Sequence, residues 1–270
     1  MVSGIRKSTY FYAARHASSK ADKDRPLAEE IERIFRANLR KCGVPRVAQE
    51  LRNDGWAVNR KRVERIMRER GLSAEPKRRA YRSYKGDIGK AAPDLLRRDF
   101  STTGPYQKLG TDVTQFATEF GKLYLSPVID FRTREVLAYD IPTSPDYAQV
   151  RRMLESLVAR HGERVRGAIL TSGQGCQYRP MAYRKFLQER GISQSVSRKG
   201  NCLDNSPTEN FFGRLKVEMY YDKEYSFRSL KDLERQIRRY IEYWNSSRIV
   251  GRLGASPISV RNAELGIPSG

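Results

Sequence analysis

Histidine and cysteine are scarce in this sequence. Its 270 residues hold two histidines, His16 and His161, and three cysteines, Cys42, Cys176 and Cys202. The histidines lie far apart, so no His-rich zinc module can form, and a histidine general base is disfavoured. The cysteines are an odd, widely spaced set without a C-x-x-C pair. That argues against a thiolate zinc site or a disulfide framework and fits a reducing compartment. Long hydrophobic runs are missing too. No stretch approaches the roughly 20 apolar residues needed to cross a bilayer, and no signal peptide is evident. The expectation is a soluble, cytoplasmic chain.

Negative charge is also short. Thirty-one Asp and Glu face 52 Lys and Arg, for a net charge of +21 and a pI near 10.1. Such a field attracts polyanions, because each neutralised phosphate releases condensed counterions. Charge alone does not choose between DNA, ribosomal RNA and an anionic membrane. Its distribution says more: 26 of the 52 cations, but only 13 of the 31 acids, fall in the first 100 residues. The front third is the densest candidate for nucleic-acid contact. A 39% hydrophobic share and 10% aromatics still suffice for a core, and the length suits one large domain or two ordinary ones.

Apolar periodicity places three helices in residues 1–75. Leu27, Ile31, Ile34, Phe35 and Leu39 recur at helical spacing after Pro26, which can open a helix. A second helix fits Pro45–Asn53, and Gly55-Trp56-Ala57-Val58 makes a turn. Asn59 then reads as the N-cap of a third helix that stops near Gly71. On that helix Val63, Ile66 and Met67 form an apolar stripe. Lys61, Arg62, Arg65 and Arg68 lie largely away from it, a face that a helix-turn-helix can present to a major groove. An ordinary solvated basic helix is the plainer alternative. Residues 76–100 read as a basic linker, with Tyr81 and Tyr84 among the cations of its first part.

From about residue 101 to 265 the pattern becomes mixed α/β. Strands are predicted over Lys108–Phe116, Leu123–Asp130 and Glu135–Ile141, joined by hairpin turns. A helix over Tyr147–Arg160, a strand over Ala168–Thr171, a helix over Met181–Glu189 and a strand over Ile192–Val196 follow. Two further helices are predicted over Pro207–Met219 and Leu230–Trp244. Three antiparallel strands, then helix, strand, helix and strand, give a mixed sheet flanked by helices, the element order of an RNase H-like fold.

Phosphoryl transfer on DNA needs charge stabilisation at both the attacking and the leaving oxygen. Two divalent metals held by carboxylates provide it. Asp112, inside a predicted strand, is costly there without a partner, although a structural Asp at a strand end would read the same way. Glu209 lies three residues after Ser206 with Pro207 between them, and by spacing alone this is a capping box.

The segments GNCLDNSPTENFFGRLKVE (200–218), LGTDVTQF (109–116), LTSGQGCQY (170–178) and YIEYWN (240–245) resemble the OrfB product of the IS-three family of insertion-sequence transposases. The segment GVPRVAQELRNDGWAVNRKRVERIMRERGL (43–72) resembles that family's internal helix-turn-helix. The resemblance runs over about residues 5–260. It implies an RNase H-like core with an Asp-Asp-Glu triad binding Mg²⁺, for which Mn²⁺ can substitute. It also implies cleavage at the element ends and strand transfer by a 3′-hydroxyl. By position the first Asp is Asp112 and the Glu is Glu209. The second Asp belongs in a Ser-Asp-Gln-Gly loop, which here reads Ser172-Gly173-Gln174-Gly175, so Gly173 stands where that carboxylate would be. Weak or absent binding of one metal is therefore expected.

Further DNA contacts are expected at Arg198, Lys199 and Asn201. Asn205 is read as orienting the loop or the DNA, and Lys216 either holds a phosphate or is a solvated lysine. The tail NSSRIVGRLGASPISV matches the family loosely, with Val250 in place of its usual His. The implied partners are element-end and target DNA, an upstream OrfA product or fusion, and further copies of the chain on DNA, at the bacterial nucleoid. A non-catalytic DNA-binding repressor or competitor is the rival reading. A retroviral-type integrase would need a His/Cys zinc module that two distant histidines do not supply.

Overall fold

The computed structural model describes residues 24–38, 40–74, 93–197 and 205–268, and the chain divides into two units at Pro76. Tyr81, Tyr84, Arg198, Lys199 and Asn201 lie outside the described residues. In the first unit, α1 spans residues 24–37, α2 Val44–Asn53 and α3 Arg60–Glu69. Helix α1 starts before the expected Leu27, with Pro26 inside its first turn, where a missing N–H costs no helical bond. Leu27, Ile31, Ile34 and Phe35 of α1, Val47 and Leu51 of α2, and Val63, Ile66 and Met67 of α3 close one core. Asn59 caps α3 by accepting the Lys61 N–H at 2.9 Å. Gly71, at φ +63°, takes the left-handed position just past its end.

The second unit is built on a six-stranded sheet: β1 Lys108–Thr111, β2 Thr114–Thr118, β3 Gly121–Asp130, β4 Val136–Asp140, β5 Ile169–Ser172 and β6 Ser193–Val196. The single strand predicted over Lys108–Phe116 is split into β1 and β2, yet its register is unbroken. Thr111 opposes Val128, and Thr114 opposes Leu125. Continuing that register puts Asp112 opposite Pro127, whose ring nitrogen has no proton for the ladder. The strands run β4–β3–β1–β5–β6, with β2 prolonging β1 alongside β3. Pairing is antiparallel from β4 to β1 and parallel from β1 through β5 to β6.

Successive strand residues point to opposite faces, and two cores result. Val128, Leu137 and Leu170 join Val150, Leu154 and Leu157 of α4 (Tyr147–His161) and Leu187 of α5 (Met181–Glu189). On the other face Ile129, Val136 and Leu125 meet Phe211 and Leu215 of α6 (Ser206–Leu215) and Leu233, Ile237 and Trp244 of α7 (Leu230–Ser246). The core also begins before residue 101. The Val196 N–H donates to the Pro93 carbonyl at 3.2 Å and the Leu95 N–H to Ser195 Oγ at 3.0 Å. The last part of the expected linker thus lies along β6.

Two more features depart from expectation. The helix predicted over Pro207–Met219 is α-helical only to Leu215 and continues as a π turn over Lys216–Tyr220. The tail is ordered into α8, Pro257–Leu265, capped by Ser256 accepting the Ser259 N–H. Arg261 of α8 pairs with Glu135 at 2.6 Å, and Arg248, just after α7, is buried against Glu218 of the π turn with contacts of 2.6 and 3.0 Å.

Candidate active site and nucleic-acid contacts

Asp112 sits in the gap between β1 and β2, where its Oδ1 accepts the Val113 N–H at 2.8 Å. Ladder geometry gives way there to a turn-like local bond, so the carboxylate leaves the strand rather than being sealed within it. Burial raises its pKa to about 6, with the Val113 N–H partly opposing the rise. Glu209, in the first turn of α6, is pushed up to about 7, first by burial and then by the charge of Asp112. Two carboxylates thus share one region without a cation bonded to either among the described residues. The capping box is not formed, since α6 has Asn205 as its N-cap and no side-chain cap bond. This leaves Glu209 turned to other use.

Helix α6 reaches β1 closely because residue 110 has no side chain. A Cβ there would lie 2.5 Å from Thr208 Oγ1 and 2.7 Å from Phe131 Cζ, with Phe131 Cε1 nearer still. A latch fixes the approach: Asn205 Nδ2 donates to the Thr111 carbonyl at 3.2 Å, and Thr208 Oγ1 donates to Asn205 Oδ1 at 2.8 Å. Asn205 is buried. Its amide is used to hold the start of α6 against the end of β1, not presented as a surface for DNA. Gly110 and Thr208 were not singled out from the sequence. The signal was present, since a glycine inside a strand marks a close backbone approach.

Gly173 follows β5, the strand beside β1. A Cβ at this position would fall 3.2 Å from Asp112 Oδ1 and 3.7 Å from Oδ2. Its φ lies outside the left-handed region, so a side chain is compatible with the backbone. Around it, Gln174 Nε2 donates to the Ser197 carbonyl at 3.1 Å, and Arg179 Nη2 to the Gln174 carbonyl at 3.2 Å. Beneath the pair, the buried Tyr178 hydroxyl stands 3.4 Å from Thr111 Oγ1, and its pKa is raised by burial and then by Asp112. Among the described residues, no group of three or more His, Cys, Asp or Glu side chains is placed to hold a metal ion.

Lys216 is not a solvated lysine. It is buried, its Nζ lies 5.4 Å from the Phe116 ring centre, and burial lowers its pKa to about 8. On α3, Lys61 and Arg68 are exposed. Arg62, also exposed, and the half-buried Arg65 reach Asp24 of α1: Arg62 Nη2 lies 2.6 Å from Oδ1, Arg65 pairs with Oδ2, and Arg65 also meets Glu69 at 2.9 Å.

The raised carboxylates make a pH prediction. Their ordinary values are 3.8 and 4.5 and their folded values about 6 and 7, so the folded state holds these protons more tightly. Their contribution favours folding below about pH 4 and is lost as the pH rises through 6 and 7. In EDTA, Asp112→Asn is expected to melt above the unaltered chain at pH 8, with the gap narrowing as the pH falls from 7 toward 4. A gap independent of pH would contradict the burial of Asp112.

This sheet order, flanked by helices on both faces, defines an RNase H-like integrase core. Two separate integrase core domain families match, one over residues 102–202 and the other over 209–265, and the HTH-like domain family matches 21–80. A putative transposase InsK for insertion sequence element IS150 of Escherichia coli is 42% identical, over 96% of this chain and 90% of its own length. An uncharacterized transposase-like protein of Haemophilus influenzae is 48% identical, over 77% and 95%. Transposase InsF for insertion sequence IS3A of E. coli is 31% identical, over 86% and 80%. A simian T-cell lymphotropic virus intasome chain shares the fold at a TM-score of 0.53 and 13% identity, over 85% of this chain and 74% of that one. The chain belongs to the IS-three family of insertion-sequence transposases.

Proposed function

We propose that this chain is a DDE-type transposase in which Asp112 and Glu209 are two of the three metal-binding carboxylates and Gly173 stands in place of the third. DNA binding is retained, whereas cleavage and strand transfer are weak or absent. The observation that carries this reading is the Gly173 Cβ direction, which meets the Asp112 carboxylate at 3.2 Å. A side chain at 173 would therefore share a cation with Asp112.

The donor set suits Mg²⁺ or Mn²⁺ in part. Asp112 and Glu209 offer hard oxygen ligands; burial raises the pKa of both, the charge of Asp112 adds to that of Glu209, and no cation among the described residues is bonded to either. When bound, the metal supplies charge stabilisation at the attacking and leaving oxygens of an in-line displacement. Asp112 and Glu209 would offer their carboxylate oxygens to the cation, and the Asn205–Thr208 latch keeps Glu209 in register with β1. Gly173 contributes no ligand.

Lys61 and Arg68 of α3 contact DNA, and Arg62 and Arg65 join them by exchanging Asp24 for phosphate. Arg198, Lys199 and Asn201 are assigned to the DNA backbone, and Lys216 to positioning beside Phe116. The active assembly consists of several copies on element-end and target DNA with an upstream OrfA product, in the bacterial cytoplasm. The rival is a repressor or competitor without catalysis, which the missing ligand at 173 favours. The test compares three chains on element-end DNA with OrfA and Mg²⁺ or Mn²⁺: the chain as it stands, Gly173→Asp, and Gly173→Asp/Glu209→Gln. Activity in Gly173→Asp alone supports the proposal. Equal activity in all three sinks it, and footprints without products from any of them favour the repressor.

A further inference from the structure

A groove of about 620 Å³ lies between β4 and α7, away from the carboxylates. Strand β4 is two strands from β1, which places the groove about 10 Å across the sheet from Asp112. Val136, Tyr139 and Ile241 floor it. Asn245 of α7 holds α7 beside β4 by bonding both the N–H and the carbonyl of Val136 at 2.9 Å.

Its walls are basic. Lys231, Arg235, Arg238 and Arg239 come from α7 and Arg160 from the end of α4, against Glu234 and Glu242. Two of the cations are engaged: Arg235 with Asp232, and Arg238 with Glu234 at 2.7 Å while lying over the Tyr139 ring. Arg160, Lys231 and Arg239 are exposed and have no acidic partner among the described residues. Lys231, Arg235 and Arg239 recur every four residues, so they form one row about 12 Å long. A single small anion cannot engage a row of that length, whereas a polyanion with regularly spaced charges can.

We infer that this groove seats the sugar-phosphate backbone of duplex DNA, away from the strand being cut. The inference rests on the DNA-handling reading of the chain and adds a second contact surface to it. A second copy of the chain is a poor occupant: a two-fold contact on this face would set Arg160, Lys231 and Arg239 against the same cations. Backbone contact also predicts sequence-independent, salt-sensitive binding.

The test uses the full chain and a 30-base-pair duplex of arbitrary sequence, with affinity measured across a salt series. Arg160→Gln/Lys231→Gln/Arg239→Gln is compared with Arg151→Gln/Arg184→Gln/Lys185→Gln, which removes equal charge from other exposed positions. Circular dichroism and melting verify that each variant is folded. Each phosphate contact contributes about 0.9 to the salt slope. The groove variant is therefore expected to lower the slope by about 2 to 3 and to weaken binding at least about tenfold at 0.15 M salt, while the control changes little. Equal loss in both variants, or loss in neither, overturns the groove assignment and leaves the transposase reading standing. A shift from dimer to monomer with DNA affinity kept assigns the face to a second copy and overturns it as well. Failure of the unaltered chain to bind duplex at all overturns both.

Discussion

Gly173→Asp is expected to raise metal-dependent cleavage and strand transfer by at least about a hundredfold. The size follows from what a charge-stabilising group contributes in a dry site, commonly about 10²–10³ in rate. The geometry is permissive. The backbone at 173 is not in the left-handed region, and the nearest neighbour of a new Cβ is the end of the Asp112 side chain, 3.2 Å away. In the metal-free protein the added carboxylate meets Asp112 and Glu209 with like charge, so the variant should melt lower than the unaltered chain in EDTA. Adding Mn²⁺ should reverse the order, because three ligands now gain from the cation. Higher activity without a larger Mn²⁺-induced rise in Tm would mean that 173 acts otherwise than as a ligand. Glu209→Gln in the same background should remove the gain.

Arg248→Met is expected to cost about 3–5 kcal/mol of stability. Arg248 and Glu218 are buried, with side chains 4% and 5% exposed, and are joined by two bonds of 2.6 and 3.0 Å. Removing Arg248 takes the paired guanidinium from a buried carboxylate, a loss that commonly costs this much. The Tyr240 hydroxyl, donating to Glu218 at 2.9 Å, would remain but cannot neutralise it. Urea unfolding followed by Trp244 fluorescence, in a Trp56→Phe background, would report this unit. The double variant Arg248→Met/Glu218→Gln should lose clearly less than the two single losses added together, since both substitutions remove the same pair. A loss under about 1 kcal/mol would mean that the pair is solvated in practice.

The periodic elements were legible because their signals are local. From Leu123 to Trp244 the predicted strands and helices recur within a few residues of their expected bounds, apart from the early α-helical end at Leu215, since alternation and helical spacing depend only on which face is buried. The split at Asp112 was not legible. It depends on Pro127, a residue far along the chain that only the sheet register brings opposite. Spacing alone could not exclude a capping box at Ser206–Glu209, because it does not show that Asn205 bonds the Thr111 carbonyl and takes the N-cap of α6. Lys216 closes α6 two α-helical turns after Glu209, and its burial beside Phe116 depends on packing that spacing does not carry. The role of Arg248 needed the third dimension too, its partner lying 30 residues earlier in the sequence. At the site, the positions of Asp112, Glu209 and Gly173 came from motif resemblance. The close approach that unites them comes from Gly110.

The bond from the Val113 N–H to Asp112 Oδ1 gives the site its own spectroscopic gauge. An amide proton donated to a carboxylate senses that oxygen's electron density, while its ladder neighbours sense only carbonyls. Capture of a cation or a proton by Asp112 should therefore move the Val113 amide resonance more than those of Thr111 and Thr114. One ¹⁵N-labelled peak would then follow occupancy of the carboxylate in solution with no DNA present, in the unaltered chain and in Gly173→Asp alike.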